Sequence, residues 1–299
     1  MTEQGETEHR LTCGLGRRVL FSVARRVAVR ELSLADVLAG RSPDQLSAAE
    51  LAAGRDGVLI RCMPDRGTRT LTLEGDRLQY VVAREHWHYL AMAGSFEQYL
   101  ADRFSEKTRA SFERDEGRFV ETFGRLDLRE YRSPEELQRF ALIAAQVVDG
   151  RDRMPALGAM QPGDDAFALF ADGAPVAFLH LRSAGDTVQY HSAGESEAFR
   201  QWSAGSVLHV AVLRRLFADG RFRYLDFMPG DGEIKRQFAN GALRCSDILY
   251  LRPTLTNHLL LRLHAYLGRC TAWLDGQAGR AGVVGLLHRL FSREARQVG

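Results

Sequence analysis

The stretch from Phe167 to Arg252 decides the fold. It opens with the apolar run Phe167-Ala168-Leu169-Phe170 and the turn Ala171-Asp172-Gly173. A second run, Val176 to Arg182, ends at the turn Ala184-Gly185-Asp186, and a third covers Thr187 to His191. Asp-Gly and Gly-Asp steps between short apolar runs are hairpin signals, so three antiparallel strands are expected. Ser203-Ala204-Gly205 then leads into a helix from Ser206 to Ala218, with Val207, Leu208, Ala211, Val212 and Leu216 on one stripe and Asp219-Gly220 as its stop. Phe222 to Phe227 reads as a strand, Met228-Pro229-Gly230-Asp231-Gly232 as a turn, and Glu233 to Asn240 as a short helix stopped at Gly241. Leu243 to Arg252 is the last strand. The order β-β-β-α-β-α-β implies an α+β fold, a mixed but mainly antiparallel sheet flanked by helices.

Toward the N-terminus, Phe96, Tyr99, Leu100 and Phe104 recur at helical spacing, and a second helix runs from Ser105 through Phe112 and Phe119 to Phe123. Its other face carries Lys107, Arg109, Arg114 and Arg118. A short strand at Leu126 to Tyr131 precedes Ser133-Pro134-Glu135-Glu136, which starts a helix ending near Asp149-Gly150, with proline at its first position and acids in its first turn. Val58 to Met63, Arg69 to Leu73 and Leu78 to Val82 read as a small meander. Ser42-Pro43-Asp44 is a turn, and the capping box of Ser47 with Glu50 predicts a short helix. Residues 1–9 read as a loose tail. Arginines alternate with apolar residues from Arg17 to Arg30, which predicts a helix or strand with a basic edge.

Beyond Pro253, Leu255, Leu259, Leu260, Leu263, Tyr266 and Leu267 give a helix with an apolar face. Gly282 to Arg296 is a basic amphipathic segment of the kind that lies in a membrane interface. The segments fall into 1–94, 95–252 and 253–299.

Composition bounds the function. With 299 residues, 45% hydrophobic and 26% charged, the chain is an ordinary globular protein with a sizeable core. A net charge of +2 does not indicate a dedicated nucleic-acid binder. Four scattered cysteines form no metal or disulfide framework, which fits a reducing cytoplasm. No apolar window is long enough to span a membrane. Cytoplasmic localisation is expected, or peripheral attachment to the inner face of the membrane through the C-terminal segment.

Three local features sharpen the element order: Val176-Ala177-Phe178 after Asp172-Gly173, Ser203-Ala204-Gly205 at a helix start, and Asp226-Phe227 followed by Gly230, Asp231 and Lys235. Together, over about residues 95–252, they resemble the GNAT acyltransferases of the BioF2-like or CelD-like branch, relatives of the FemAB aminoacyltransferases. The resemblance implies a GNAT core at 95–252, with 1–94 as a degenerate N-terminal half in a tandem arrangement. It also implies an acyl-CoA or acetyl-CoA co-substrate, no metal, and acylation of a primary amine on an amino sugar, amino lipid or similar envelope or polysaccharide precursor. A narrower version is long-chain acylation of a sphingoid-type amine. The alternatives are an aminoacyl-tRNA-dependent transfer, which would bring in nucleic acid, and a non-catalytic binding module on the same fold.

Amine acylation needs a proton acceptor for the attacking amine and a place for the donor's phosphates. His191 and Asp226, at the ends of the two strands that part around the donor in such proteins, are the expected bases. Lys235 is expected to bind a phosphate or substrate carboxylate beside them. Tyr190, Ser203, Gly205, Ser206 and Val207 are expected along the donor, its phosphates on the free N–H groups of the helix start. Glu195 and Asp231 are expected to hold the acceptor amine, and Arg109 to contact an anionic group. Relatives often have Tyr-Lys where this chain has Ile234-Lys235, so no phenol stands there for the departing thiolate. His86-Trp87-His88 lacks an accompanying carboxylate pair, and its neighbours are expected to alternate sides of a strand, so it reads as structural or substrate-lining.

Overall fold

The structure is a computed structural model that describes residues 2–15, 18–41, 56–148 and 160–273. The signals at 42–50, the helix end at Asp149-Gly150 and the amphipathic segment 282–296 lie outside the described residues. The chain divides into two compact units, one of residues 1–84 with 245–299 and the other of residues 85–244. The first therefore joins the N-terminal stretch to the end of the chain rather than dividing at 94 and 252.

In the first unit, β1 (Thr2–Leu15) and β2 (Arg18–Glu31) form an antiparallel hairpin. The first residues are thus strand and not a tail. In register, Glu8 lies opposite Arg26. β3 (Gly57–Pro64) lies between β2, to which it is parallel, and the last strand, β11 (Gly241–Leu251), to which it is antiparallel. It is not part of a meander. Consecutive Val58, Leu59 and Ile60 are all buried, a pattern that needs cover on both faces and a central place in the sheet. β4 (Leu71–Glu74), half-buried to exposed, instead pairs with β5 (Arg77–Ala91) across the turn at Gly75. A short helix, α1 (Leu34–Leu38), is closed by a Ser33–Asp36 capping box. The C-terminal helix, 255–273, buries Leu260 and Leu261 in the same core as Leu11, Leu59 and Leu249.

The second unit holds the stretch read first. Its sheet runs β5, β10 (Tyr224–Pro229), β9 (Thr187–Glu195), β8 (Ala174–Ala184), β7 (Asp165–Ala171), β6 (Asp127–Tyr131). Every pairing is antiparallel except β9 with β10. The helices are α2 (Phe96–Arg103), α3 (Glu106–Phe123), α4 (Pro134–Val147), α5 (Ala204–Asp219) and α6 (Glu233–Phe238). Serines at 95, 105 and 133 cap the first three. Alternation on the strands separates two cores: Leu179, Val188, Leu225 and Phe227 pack under α5, whereas Phe178 and Ala168 pack under α4 with Phe140. The mixed α+β, largely antiparallel architecture expected from the sequence is the one observed.

Candidate active site

The site begins where two strands part. β9 and β10 pair through Thr187–Tyr224, Val188–Leu225 and Gln189–Asp226, and their pairing ends there. β9 continues along β8 to Glu195, while β10 bulges against β5 between Asp226 and Pro229, with Met228 at φ 62°. A fork is left between residues 190–195 and 227–229.

Asp226 stands at its base, with 0% of its surface exposed. Its Oδ1 accepts the indole N–H of Trp87 at 2.5 Å and the backbone N–H of Met228 at 2.7 Å. Its Oδ2 has no hydrogen-bond partner. Burial pushes the carboxyl above the ordinary carboxylate range, against the pull of Trp87, the Met228 amide, Lys235 and Gln189. Lys235 donates to the carbonyls of Met228 and Pro229 at 3.0 Å each, so it clasps the bulge. Burial lowers its pKa while Asp226, Glu85 and Asp231 draw it back up.

Strand alternation puts Gln189, His191 and Asp226 on one face of the sheet and Tyr190 on the other. His191 is exposed and its ring sits edge-on to His180 at 4.7 Å. His180 is fully buried and bonded through Nε2 to Asp164 Oδ2 at 2.9 Å. Desolvation first, then His180 and Arg182, lower the pKa of His191. His191 and Asp226 thus share a face but belong to different hydrogen-bonded groups.

On the α5 face, Tyr190 bonds His209 Nε2 at 3.0 Å, and His209 Nδ1 lies 2.6 Å from the Gly205 carbonyl. That carbonyl can only accept, so Nδ1 carries the proton and the Tyr190 hydroxyl donates to Nε2. Burial raises the Tyr190 pKa and lowers that of His209, keeping both neutral.

The start of α5 differs from a simple capped helix. Ser203 sits at φ 55° and its side chain caps nothing. The carboxylate of Glu195 takes that role, accepting from the Gly205 N–H at 2.9 Å. A Cβ on Gly205 would come within 3.2 Å of the same carboxylate, so glycine permits the approach. Ser206 is half-buried on this turn and Val207 is buried in the core.

Asp231 joins two further side chains, His88 at 3.4 Å and Arg236 at 2.5 Å. His88 and Arg236 line a cavity of about 910 Å³ together with Tyr99, Asp102, Arg103 and Asn240. Arg103 donates to the Arg236 carbonyl. His86 and His88, two residues apart, share one side of β5 with rings 6.1 Å apart, while Trp87 turns to Asp226. This corrects the expectation that the two histidines would alternate sides, since side chains repeat their direction every second residue. Among the described residues, no three His, Cys, Asp or Glu side chains gather to hold a metal. Arg109, half-buried on α3, has an Nε without a hydrogen-bond partner. On the same helix, Arg114 bonds Ser111 and Arg118 bonds Asp115, so those two are held along the helix itself.

Sequence reasoning passed over Gln189, His209 and the partner of Trp87, whereas the place of His88 in the cavity wall lies within the reading of His86-Trp87-His88 as structural or substrate-lining. Gln189 was findable, as the residue two before His191 on a strand. His209 was findable at four residues beyond Gly205 on a helix. The Trp87 contact, 139 residues away in sequence, leaves no local signal.

Comparison with known proteins bears on the fold. Residues 106–236 match the family model described as an acetyltransferase (GNAT) domain. No curated protein matches the sequence. Among solved structures, the C-terminal domain (DUF2156) of a protein assigned as a lysylphosphatidylglycerol synthetase from Agrobacterium fabrum has a TM-score of 0.52 at 12% identity, covering 87% of this chain and 88% of its own. L-PGS from Bacillus licheniformis has 0.48 at 13%, covering 86% and 88%, and FemX has 0.48 at 11%, covering 86% and 90%. At such identities the first likeness speaks for the fold alone. Residues 106–236 thus resemble a GNAT acetyltransferase domain, and the sheet is mixed and largely antiparallel, of the GNAT type.

Proposed function

We propose that the chain is an N-acyltransferase that moves an acyl group from an acyl-CoA thioester to the primary amine of an amino sugar, amino lipid or similar precursor. The observation that carries this reading is the buried carboxyl of Asp226 at the fork, with Oδ1 fixed by two donors and Oδ2 left free. A carboxyl whose pKa is raised by burial is suited to take a proton at a pH nearer neutrality than an ordinary aspartate. The amine nitrogen bonds the thioester carbon and gives its proton to Asp226 Oδ2. The C–S bond breaks, and the departing thiolate takes up a proton from water. Lys235 positions the base by holding the two carbonyls of the bulge whose amide bonds Asp226. The cavity, with Arg103 and Arg236 beside Asp102 and His88, suits an acceptor that carries an anionic group as well as its amine.

Turnover with acyl-CoA tests this reading, compared between the wild type and Asp226→Asn. Loss of turnover with retained thermal stabilisation by acyl-CoA supports it. Full turnover in the variant removes Asp226 as the base.

Glu195 favours a second donor. Its carboxylate stands on the helix start expected to receive pyrophosphate, so that site as arranged repels an anion. An aminoacyl-tRNA ester, whose phosphates need not reach this turn, avoids the conflict. Thermal stabilisation by aminoacyl-tRNA and none by acyl-CoA would select it.

A further inference from the structure

The C-terminal helix of the first unit, 255–273, is apolar on two opposite sides. One side is accounted for by the core: Leu260 and Leu261 are buried, and the Tyr80 hydroxyl lies 2.6 Å from His264 Nδ1. The other side is not. Leu255 is 92% exposed, Leu259 70%, Tyr266 59% and Trp273 64%. At 3.6 residues per turn these four fall within about 40° of one another, a stripe along the full ~28 Å of the helix. A helix that is hydrophobic all round belongs in a buried setting, so this stripe calls for a covering surface.

Charge says which surface. Residues 252–273 contain Arg252, Arg262 and Arg269 and no aspartate or glutamate. Arg262 and Arg269 lie within about 60° of the stripe, along one edge. They line a groove with Leu71, Leu73 and Tyr266, and Leu73 is itself exposed. Over residues 252–299 seven arginines face two acids, Asp275 and Glu294, so the positive charge of a chain with a net +2 is concentrated in its last part. The apolar surface also extends past the helix end. Thr271 reaches the Gly14 carbonyl at 3.4 Å, beside the exposed Leu15, Val19, Leu20 and Phe21 of the first hairpin.

We infer that this face is an interfacial docking surface for an anionic lipid bilayer, with Leu255, Leu259, Tyr266 and Trp273 entering the headgroup boundary and Arg262 and Arg269 meeting lipid phosphates. Leucine with tryptophan and tyrosine, edged by arginine, is the composition that gains both from apolar burial and from a negative surface potential. The basic segment that follows the helix is poorly matched to cover it, because both carry positive charge. No described helix is long and apolar enough to cross a membrane, so the contact is with the interface. The inference does not rest on the acyl-transfer reading.

Full-length protein is sedimented with vesicles of phosphatidylcholine alone or mixed with phosphatidylglycerol, and Trp273 emission is taken as the difference from Trp273→Phe. The expected result is binding to the mixed vesicles only, with a blue shift that Trp273→Phe lacks. Leu255→Asp with Leu259→Asp should lower the partition coefficient at least about tenfold. Arg262→Gln and Arg269→Gln should each lower it roughly fivefold. Circular dichroism and thermal melting check that each variant is folded. Absence of binding to either vesicle overturns the inference. So does binding that survives the two leucine substitutions but is lost on Leu286→Asp with Leu287→Asp. A wild-type dimer that Leu255→Asp with Leu259→Asp dissociates would assign the face to a second copy and overturn it as well.

Discussion

Asp164 and Asp226 are two carboxylates buried in the same unit, and they are held in different ways. Asp164 Oδ2 bonds His180 at 2.9 Å and the Gln161 amide at 3.0 Å, and Oδ1 faces Arg182 at 3.5 Å. Oδ2 takes both hydrogen bonds, while Oδ1 meets only the Arg182 guanidinium, in an ion-pair contact whose Nε makes no hydrogen bond. Asp226 places two donors on Oδ1 and none on Oδ2, and no arginine bonds it. A buried anion with a cation against its second oxygen is a structural joint, whereas one whose second oxygen meets no cation has a free position for a proton or an amine. Burial alone therefore does not separate a structural acid from a reactive one; what meets the second oxygen does.

The sharpest way to break this contrast is Asp226→Asn. Turnover should fall about 10²–10⁴-fold if the carboxyl is the base. The variant should fold normally, since its amide oxygen can still accept from Trp87 and Met228. Its stability should also respond differently to pH. The folded-state pKa of Asp226 is raised, so its contribution is fully present below the unfolded value and is lost as pH rises through the folded one. Melting temperature measured between acid and neutral pH should therefore decline in the wild type relative to Asp226→Asn.

Asp164→Ala is the complementary variant. It strands the buried Nε2 of His180 and the Gln161 amide, at a cost of about 3 kcal/mol read from denaturant unfolding, while turnover per folded molecule should stay near wild type. A large loss of turnover in the folded fraction would place both acids in the chemistry and end the distinction. Glu195→Gln has a smaller effect. Its amide oxygen can still cap Gly205, but the negative charge is gone. If the donor's pyrophosphate docks on α5, acyl-CoA affinity measured by calorimetry should rise about two- to fivefold. An unchanged affinity would move the phosphates elsewhere.

These contrasts show what could be read from residues alone. The hairpins at Asp172-Gly173 and Gly185-Asp186, and the helix stop at Gly220, depend on local backbone preferences, and all three are observed as expected. The place of β3 depended on partners more than 180 residues away in sequence, and its spacing pointed instead to a neighbouring meander. The first residues looked unstructured because the strand they pair with, β2, was read separately. At the site, Asp226 was legible from its position before the turn at Met228. Its environment was not, because Trp87 reaches it from another element. The cap on α5 was not legible for the same reason: Ser203 makes no cap bond, and a glutamate from the preceding strand supplies the oxygen.

The smallest expected effect is the most informative about the second region. His191 sits edge-on to His180 and so belongs spatially to the Asp164 group, although it shares a sheet face with Asp226. Desolvation and the neighbouring His180 and Arg182 lower its pKa, so it is neutral at pH 7 and lacks a carboxylate to orient it as a base. His191→Ala should therefore change turnover by no more than about twofold, and the pH–rate profile should keep the acid-side limb set by Asp226. His180 should lose part of its cover, which a modest fall in melting temperature would record. If His191→Ala instead removes the acid-side limb while Asp226→Asn leaves it in place, the proton leaves the amine through the histidine. The open oxygen of Asp226 would then serve to bind the acceptor rather than to deprotonate it.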